Sequence, residues 1–370
     1  MTSPGTTRRP VPAGTGAPRR ARVAALLVLA GVAVSCAAWP GAPGTEPPED
    51  GPSARATVAP AGGEPEARVV AVSVDGLTPE AIEVLGRRGA PAISFLLDRG
   101  AGTLDARTAV EQTVTLPNHV GMITGRRIDR DEGGHGVTWN DDVVGPVVPP
   151  DEDGRALASV FTVVAGAGGS TALFSGKTKF AIFERTWPDA VDRSVVAAPI
   201  EVLARRASRD VATGRRTFTF LHLADPDLAG HRSGWMSAPY LRAVRRADRA
   251  LGRVLAVLRA DADLRATTTV VLTADHGGAG RSHEDPALAS SYTVPFVVWG
   301  PGVPRGDLYD LAPGLQDPGD ARPGYGDPPP VRNCDLADVA TTLLGLGLVP
   351  GSDCTAATRM EDLLTGGRGA

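Results

Sequence analysis

From residue 68 onward, short runs that are apolar at almost every position alternate with longer amphipathic segments. A strand with helices on both faces needs apolar side chains on both sides, whereas a strand with one solvated face alternates apolar and polar residues. The uninterrupted runs therefore predict buried strands of a mostly parallel sheet. These strands are predicted at residues 68–74, 171–174, 217–223, 269–273 and 293–299.

The segments between these runs have the pattern of helices. Thr78, followed by Pro79, is typical of a helix N-cap. Residues 239–259 carry a single apolar stripe, and a last helix at residues 336–344 is expected to stop at Gly345. Residues 300–332, rich in Pro, Gly and Asp, are expected to form an ordered surface loop. This alternation predicts one α/β domain over residues 67–370, with a mostly parallel central sheet between helices.

The beginning of the chain has a different character, which is typical of an export signal. Five arginines between positions 8 and 22 precede an apolar run, residues 23–34, that is too short for a comfortable membrane span. Small residues precede Cys36, which resembles a bacterial lipoprotein cleavage site; cleavage near Ala38 and an uncleaved anchor are the alternatives. We therefore expect residues 1–38 to direct export, and the Pro/Gly/Ala-rich residues 39–66 to form a flexible linker. The protein is then a cell-surface lipoprotein, membrane-anchored or secreted, and meets the membrane only through its N-terminus.

Net charge and cysteine content add two expectations. The formal net charge of −4 argues against nucleic-acid duplexes as partners. If Cys36 belongs to the signal, Cys334 and Cys354 remain, and two cysteines in an oxidising compartment can form a disulfide. Two buried free thiols are the alternative.

Residues able to bind metal ions follow the predicted strands, at the edge of the sheet where ligands of α/β folds gather. Three carboxylates and three imidazoles are of the types that zinc accepts, and their number suits two ions. Each residue alone is equally compatible with a loop carboxylate or a hydrogen-bonded histidine. The six are Asp75, Asp227, His231, Asp275, His276 and His283.

A second cluster surrounds Thr115, which precedes Pro117 at the predicted start of a helix. Free backbone N–H groups and the helix dipole at that end favour an alkoxide and a bound phosphate. Thr115 is therefore a candidate nucleophile. A simple N-cap is the alternative, since capping threonines are common.

Six short motifs occur in a fixed order along the chain, and the ordered set is specific to one known family. Together they resemble the nucleotide pyrophosphatase/phosphodiesterase branch of the alkaline-phosphatase superfamily, over most of the chain from about residue 69 to 302. The motifs are Val74-Asp75-Gly76, Thr115-Leu116-Pro117-Asn118-His119, Thr124-Gly125-Arg126, His135-Gly136-Val137-Thr138-Trp139-Asn140, Pro226-Asp227-Leu228-Ala229-Gly230-His231 and Asp275-His276-Gly277.

The resemblance implies an alkaline-phosphatase-like fold and two divalent metal ions, expected to be Zn²⁺. It implies that Asp227, His231 and a third histidine hold one ion. Asp75, Asp275, His276 and the Thr115 oxygen hold the other. It also implies a phospho-threonine intermediate on Thr115 and an Asn140 that donates to a phosphate oxygen, while His119 and His135 match positions that look structural.

The third histidine of the first site needs a separate argument, because in many relatives it lies far downstream. This chain has no histidine after His283. His119 and His135 are placed elsewhere by the motifs, and His222 lies inside a predicted strand. His283 is therefore the candidate by elimination.

The substrate is expected to be a small phosphorylated compound, such as a nucleotide-like diester. Lys177 and Lys179, the two lysines of the chain, follow a predicted strand and could hold a second anionic group of the substrate. A similar lysine pair occurs in the related phosphonoacetate hydrolases, so hydrolysis of a carbon–phosphorus bond is an alternative, as is monoester hydrolysis. The Cys/Ser-x-Pro-x-Arg motif of sulfatases is absent from the sequence. A non-catalytic metal-binding or ligand-binding protein on an enzyme fold is the alternative of another class.

Overall fold

A computed structural model describes residues 66–142, 145 and 147–366. The predicted export signal, Cys36 and all but the end of the predicted linker lie outside these residues. The described part contains eight strands in one sheet. The strands are β1 (Arg68–Val74), β2 (Ala101–Arg107), β3 (Thr171–Ser175), β4 (Arg193–Val195), β5 (Phe218–Leu223), β6 (Thr268–Thr273), β7 (Thr293–Trp299) and β8 (Gly306–Asp307).

The sheet has the order β4-β3-β5-β1-β6-β7-β2-β8. Strands β4, β3, β5, β1 and β6 are mutually parallel, and β8 is parallel to β2. β7 is antiparallel to both of its neighbours, β6 and β2. The prediction of a mostly parallel sheet is confirmed, with β7 as the exception that its apolar sequence alone could not reveal.

Helices cover the sheet and connect its strands. The described residues also contain 3₁₀ turns at Arg130–Glu132, Thr178–Phe180 and Asn333–Asp335. The α-helices are α1 (Pro79–Gly89), α2 (Pro91–Arg99), α3 (Thr115–Thr124), α4 (Val160–Gly166), α5 (Ala181–Thr186), α6 (Ile200–Val211), α7 (Asp225–Ser233), α8 (Ala238–Ala260), α9 (Ala262–Thr267), α10 (Ala289–Tyr292), α11 (Leu308–Leu311), α12 (Leu336–Leu343), α13 (Ala356–Arg359) and α14 (Glu361–Thr365).

Three details differ from the sequence predictions. The helix α12 is not the last one, because α13 and α14 follow it. The predicted loop at residues 300–332 contains β8 and the short α11. Strands β2, β4 and β8 were not predicted, because they are short or carry charged residues and glycine and therefore lack an uninterrupted apolar run.

The strands bury both faces, as their sequences predict. Six of the seven residues of β1 and all six residues of β5 and of β6 are buried. In α8, the buried residues follow the helical repeat and include Val244, Leu251 and Leu258. Burial of apolar surface on this scale is the main stabilising term for such a fold.

The C-terminal part of the described chain is attached to the end of α3. Cys334 and Cys354 form a disulfide with a Cα–Cα distance of 5.9 Å. The backbone N–H groups of Asp353 and Cys354 both donate to the carbonyl of Gly125, which ends α3. The disulfide therefore closes a segment that supports the helix beginning at Thr115.

None of the helices in the described residues is long and apolar enough to cross a membrane.

Candidate active site

The residues singled out as metal ligands converge at the carboxyl ends of three neighbouring strands. Asp75 follows β1 directly, and Asp275 with His276 follows β6 after the single residue Ala274. Asp227 and His231 lie one turn apart on α7, which begins just after β5. Because β5, β1 and β6 are adjacent and parallel, their carboxyl ends meet at one edge of the sheet.

Each of the three carboxylates has one oxygen held by the protein and one buried oxygen with no hydrogen-bond partner. Asp75 Oδ2 lies 2.8 Å from His222 Nε2, and Asp275 Oδ1 accepts from the N–H of Gly76 at 3.1 Å. Asp227 Oδ2 accepts from Lys177 Nζ at 2.7 Å. The unpartnered atoms are Asp75 Oδ1, Asp227 Oδ1 and Asp275 Oδ2. Buried carboxylate oxygens are costly unless they are paired or coordinate a metal ion, so these three atoms indicate a cation.

The first ligand set consists of Asp227, His231 and His283. Asp227 Oδ1 lies 3.3 Å from His231 Nε2 and 3.8 Å from His283 Nε2, and the two imidazole nitrogens are 3.1 Å apart. Ligands bound tetrahedrally to zinc at its usual bond lengths are about 3.3 Å apart. These three atoms can therefore hold one zinc-sized ion with little movement.

The second set consists of Asp75, Asp275, His276 and Thr115. His276 Nε2 lies 3.5 Å from Asp75 Oδ1, 3.2 Å from Asp275 Oδ2 and 3.2 Å from Thr115 Oγ1. The same nitrogen is 4.0 Å from Asp227 Oδ1, so His276 lies between the two sets but closer to the second. The spacing again matches a tetrahedral zinc site.

The three histidines of these sets present the same ring nitrogen to the centre. Nδ1 of each lies within hydrogen-bonding distance of a backbone carbonyl: Arg281 for His231, Gly277 for His276 and Thr113 for His283. A hydrogen bond from Nδ1 fixes the tautomer and leaves Nε2 as an acceptor, which is the usual arrangement of metal-binding histidines.

The protonation states of His276, His283 and Asp75 also suit metal binding. Burial lowers the pKa of His276 to about 3 and also lowers the pKa of His283, so both rings are neutral near pH 7. Burial opposes ionisation of Asp75, but the charge of Lys177 and the contact with His222 outweigh it and hold the pKa of Asp75 well below its usual value. Burial and the neighbouring Asp75 raise the pKa of Asp275, as is expected when several carboxylates share one buried site.

Thr115 is the first residue of α3 and is almost completely buried. Val114 is the N-cap, and Thr115 Oγ1 points to His276 Nε2 and Lys177 Nζ, both at 3.2 Å. The hydroxyl is therefore not used to cap the helix. The predicted free N–H groups of the first turn are largely absent, because Leu116 N donates to Asn140 Oδ1 and Pro117 has none.

Asn140 is attached to the start of the same helix. Its Oδ1 accepts from Leu116 N at 3.0 Å and from Lys179 Nζ at 2.9 Å. Both contacts use the oxygen, so the amide nitrogen is left as a donor. The two contacts on Oδ1 fix the amide relative to the first turn of α3.

Comparison with protein families identifies this arrangement. The model of the type I phosphodiesterase/nucleotide pyrophosphatase family matches residues 69–289, more than half of the chain. The chain belongs to this family. The matched region includes both ligand sets, Thr115 and Asn140. Members of the family act on phosphoester bonds, and their usual dependence on metal ions agrees with the two ligand sets.

Solved structures of other proteins share the fold of this chain. Murine ectonucleotide pyrophosphatase/phosphodiesterase 5, in complex with AMP as an inactive variant, is similar with a TM-score of 0.54 at 14% identity. The match covers 77% of this chain and 96% of that chain. A superfamily protein from Vibrio parahaemolyticus is similar with a TM-score of 0.51 at 13% identity, covering 79% of this chain and 69% of that chain. At these identities the likeness concerns the fold.

A curated relative is similar over a shorter stretch. GPI ethanolamine phosphate transferase 1 of Neurospora crassa is 31% identical over 108 residues, which are 29% of this chain. The chain spans only about a tenth of that relative's length.

The two lysines of this phosphodiesterase-family site contact protein acceptors. Lys177 Nζ lies 2.6 Å from Asp75 Oδ2 and 2.7 Å from Asp227 Oδ2. Lys179 Nζ donates to the backbone oxygen and to Oδ1 of Asn140. Both lysines lie at the site, and their ammonium groups contact the chain's own oxygens.

Three further histidines lie in or near the site. His119 Nδ1 is 2.8 Å from the carbonyl of Thr115 and its Nε2 is 2.7 Å from Ser73 Oγ, so it supports α3 from inside. His135 Nδ1 accepts from Val137 N, within the loop that leads to Asn140. His222, which the sequence places merely inside a strand, contacts Asp75 Oδ2 through Nε2 and Ser175 Oγ through Nδ1.

The contact of His222 with Asp75 was missed by sequence reasoning, although a signal for it exists. His222 pairs in register with Ser73 on β1 and with Ser175 on β3. Three polar residues thus lie side by side near the ends of three otherwise apolar strands. Such a row is unusual inside a core and indicates a support for a polar site.

Proposed function

We propose that the chain is a phosphodiesterase or nucleotide pyrophosphatase that uses two zinc ions and Thr115 as its nucleophile. The observation that carries this proposal is the set of three buried, unpartnered carboxylate oxygens grouped with the imidazole nitrogens of His276 and His283, with His276 Nε2 3.2 Å from Thr115 Oγ1.

The two ligand sets give each ion its residues. Asp227, His231 and His283 would hold one ion, and Asp75, Asp275, His276 and Thr115 the other. Mixed nitrogen and oxygen ligands of this kind favour zinc. When bound, the ions favour the ionised form of the threonine hydroxyl and stabilise negative charge on phosphate oxygens.

The residues of the chain then have distinct tasks. Thr115 Oγ1 loses its proton to water and attacks phosphorus, and the new bond forms as the bond to the leaving oxygen breaks; the leaving oxygen takes up a proton from water. Water subsequently cleaves the bond between Thr115 and phosphorus, which releases a phosphomonoester. Asn140 Nδ2 donates to a phosphate oxygen during both steps. Lys179 and the N–H of Leu116 keep the amide in that orientation.

A small nucleotide-like diester or pyrophosphate is the proposed substrate. The family model and the fold shared with the AMP complex of the murine phosphodiesterase support this class. Hydrolysis of a phosphonate was suggested by the two lysines. Their contacts with Asp75, Asp227 and Asn140 weaken that alternative, because the ammonium groups are already used.

We also propose that the enzyme is exported. Residues 1–38 have the sequence of an export signal, with Cys36 as the candidate lipidated residue, followed by a flexible linker to residue 66. The enzyme would then act outside the cytoplasm, held at the membrane by its N-terminus or released from it.

The direct test of the proposed function compares two chromogenic substrates after removal and return of zinc. Wild type should hydrolyse bis-p-nitrophenyl phosphate faster than p-nitrophenyl phosphate, and chelated enzyme should recover on addition of zinc. Thr115→Ala should reduce kcat by at least about 10³-fold, since it removes the attacking atom. Thr115→Ser, which keeps a hydroxyl, is the matched control and should retain part of the activity.

The other outcomes identify the alternatives. Wild-type activity on neither substrate would contradict the proposal and make phosphonates the next substrates to test. Release of nitrophenol that requires an added alcohol acceptor would indicate a transferase. Zinc binding without turnover, unchanged in Thr115→Ala, would indicate a binding protein.

A further inference from the structure

Lys177 occupies an unusual position, among three oxygens of the proposed centre. Its Nζ lies 2.6 Å from Asp75 Oδ2, 2.7 Å from Asp227 Oδ2 and 3.2 Å from Thr115 Oγ1. Only 11% of its side chain is exposed. The ammonium group thus joins one carboxylate from each proposed metal site to the nucleophile.

The oxygens that Lys177 contacts are not the ones left without a partner. Lys177 takes the Oδ2 atoms of Asp75 and Asp227, whereas the Oδ1 atoms of the same residues are unpartnered. Lysine and metal ions can therefore bind the same carboxylates at the same time, on different oxygens. The lysine does not have to leave when the metal ions bind.

The backbone holds Lys177 at this place. Its N–H donates to Ser175 Oγ, and Ser175 in turn contacts His222 Nδ1, so the lysine and the histidine that share Asp75 Oδ2 are supported by one serine. Gly176 lets the turn approach Ala224, the residue before α7, because a Cβ at this position would lie 2.8 Å from the Cβ of Ala224. The turn is thus built to bring the ammonium group to the carboxylates.

The ammonium group of Lys177 offsets negative charge at the site. Asp75, Asp227 and Asp275 bring three carboxylates into a buried site, and burial of unpaired charges is strongly unfavourable. One fixed ammonium group offsets part of that charge before any metal ion binds. It also lies close enough to Thr115 Oγ1 to stabilise negative charge on that atom.

We propose that Lys177 is a fixed cation of the catalytic centre, which positions Asp75 and Asp227 and supports Thr115, rather than a group that binds the substrate. This assignment rests on the proposed function for the role of Thr115, but its effect on the carboxylates is independent of turnover. Lys177 therefore acts mainly as a positioning residue.

The experiment compares Lys177→Met and Lys177→Arg with wild type by thermal unfolding, first with a chelator and then with saturating zinc. Without zinc, Lys177→Met should lower Tm by about 5–10 °C, because two buried carboxylates lose their cation. Zinc should reduce this deficit, since the metal ions supply positive charge to the same residues. Lys177→Arg keeps the charge and should show a smaller deficit.

Arg216→Met is the matched control, because it removes a partly buried cation that lies outside the proposed metal sites. Arg216 Nε lies 3.0 Å from Asp210 Oδ2, in an ion pair whose residues belong to neither ligand set. Its deficit in Tm should be the same with and without zinc. Only the Lys177 variants should show a deficit that depends on zinc.

Kinetics at saturating zinc separate positioning from substrate binding. Lys177→Met should lower kcat about 10–100-fold with little change in KM, and Lys177→Arg should recover part of kcat. A raised KM with unchanged kcat and an unchanged Tm in chelator would overturn the proposal and make Lys177 a substrate-binding residue. If wild type shows no turnover but the zinc-dependent deficit is present, the proposed function fails while the assignment of Lys177 to the carboxylates stands.

Discussion

At the scale of single residues, the two oxygens of each carboxylate in the site have different surroundings. Asp75, Asp227 and Asp275 each use one oxygen for a contact with His222, Lys177 or the N–H of Gly76. The other oxygen is buried and unpartnered. A carboxylate held in this way loses little conformational freedom when a metal ion binds. Folding therefore orders the ligands before the ion arrives, and ion binding loses less conformational entropy.

His222 provides the clearest test of this division. Replacing it with glutamine, His222→Gln, should weaken zinc binding about 10–100-fold, because Asp75 Oδ2 loses a rigid partner and the carboxylate can turn away. The measurement is zinc affinity by competition with a chromogenic chelator. Thermal unfolding in chelator should accompany it, to separate loss of affinity from loss of fold.

His135→Gln is the control, because His135 is also a fully buried histidine but contacts Val137 N instead of a carboxylate. This variant should lose stability without a comparable loss of zinc affinity. Equal loss of affinity in both variants would mean that His222 acts only through general packing.

At the scale of elements, a side chain of α8 caps the N-terminus of α2. α2 begins after Ala90, which has no side chain able to cap it. Asp248 of α8 accepts from the N–H groups of Ala92 and Ile93 at 2.9 and 2.8 Å, both through Oδ1. The carboxylate satisfies two donors that an N-cap residue normally serves, and it is buried at 2% exposure.

The stability of the protein should therefore depend on pH through Asp248. Burial raises the pKa of Asp248 to about 6, although the two backbone N–H groups act in the opposite direction. The pKa of Asp248 in the folded chain exceeds its ordinary value of 3.8. Its contribution to the free energy of unfolding is therefore fully present below pH 3.8 and is lost as the pH rises through 6. Asp248→Asn keeps the accepting oxygen and removes the charge.

Urea unfolding in chelator at pH 5 and pH 7.5 measures this effect. Between these values wild type should lose stability relative to Asp248→Asn, by roughly 1–2 kcal/mol after allowance for partial solvation. Asp98→Asn, on the same α2 helix, should follow the wild-type profile. A wild-type profile in Asp248→Asn would show that Asp248 does not control the pH dependence.

The elements also show how far the sequence determines the structure. The predicted strands are confirmed, with ends within about one residue of the observed ones. Short, uninterrupted apolar runs in a globular protein usually form buried strands. The direction of β7 could not be predicted, since an apolar strand has the same pattern in a parallel or an antiparallel pair. β4 was missed because it has three residues and none is fully buried.

At the scale of the whole molecule, the site is assembled from residues far apart in the chain. The order of the motifs was enough to predict that Asp75, Thr115 and Asp275 belong together, because the resemblance covers all of them. The contacts that hold them were not predictable, since they depend on distances between side chains. Lys177 is the main example: the sequence places it near the site, but only the structure shows that it binds Asp75 and Asp227.

The C-terminal segment gives a second example, because it lies beyond the residues that match the family model. Asn333 Nδ2 lies 3.1 Å from Asn118 Oδ1 and 3.0 Å from the carbonyl of Asp275. One buried amide thus joins the helix of Thr115 to the strand end that carries two proposed ligands. The nearby disulfide between Cys334 and Cys354 closes the segment that presents this amide.

The central claim is that these separated residues form two zinc sites beside Thr115. Anomalous diffraction at the zinc edge, from crystals equilibrated with zinc, tests it most directly. We expect two peaks, one bound by Asp227, His231 and His283 and one by Asp75, Asp275 and His276 beside the Thr115 oxygen, at about 2.0–2.2 Å from their ligand atoms. A single peak, or peaks bound by other residues, would contradict the account.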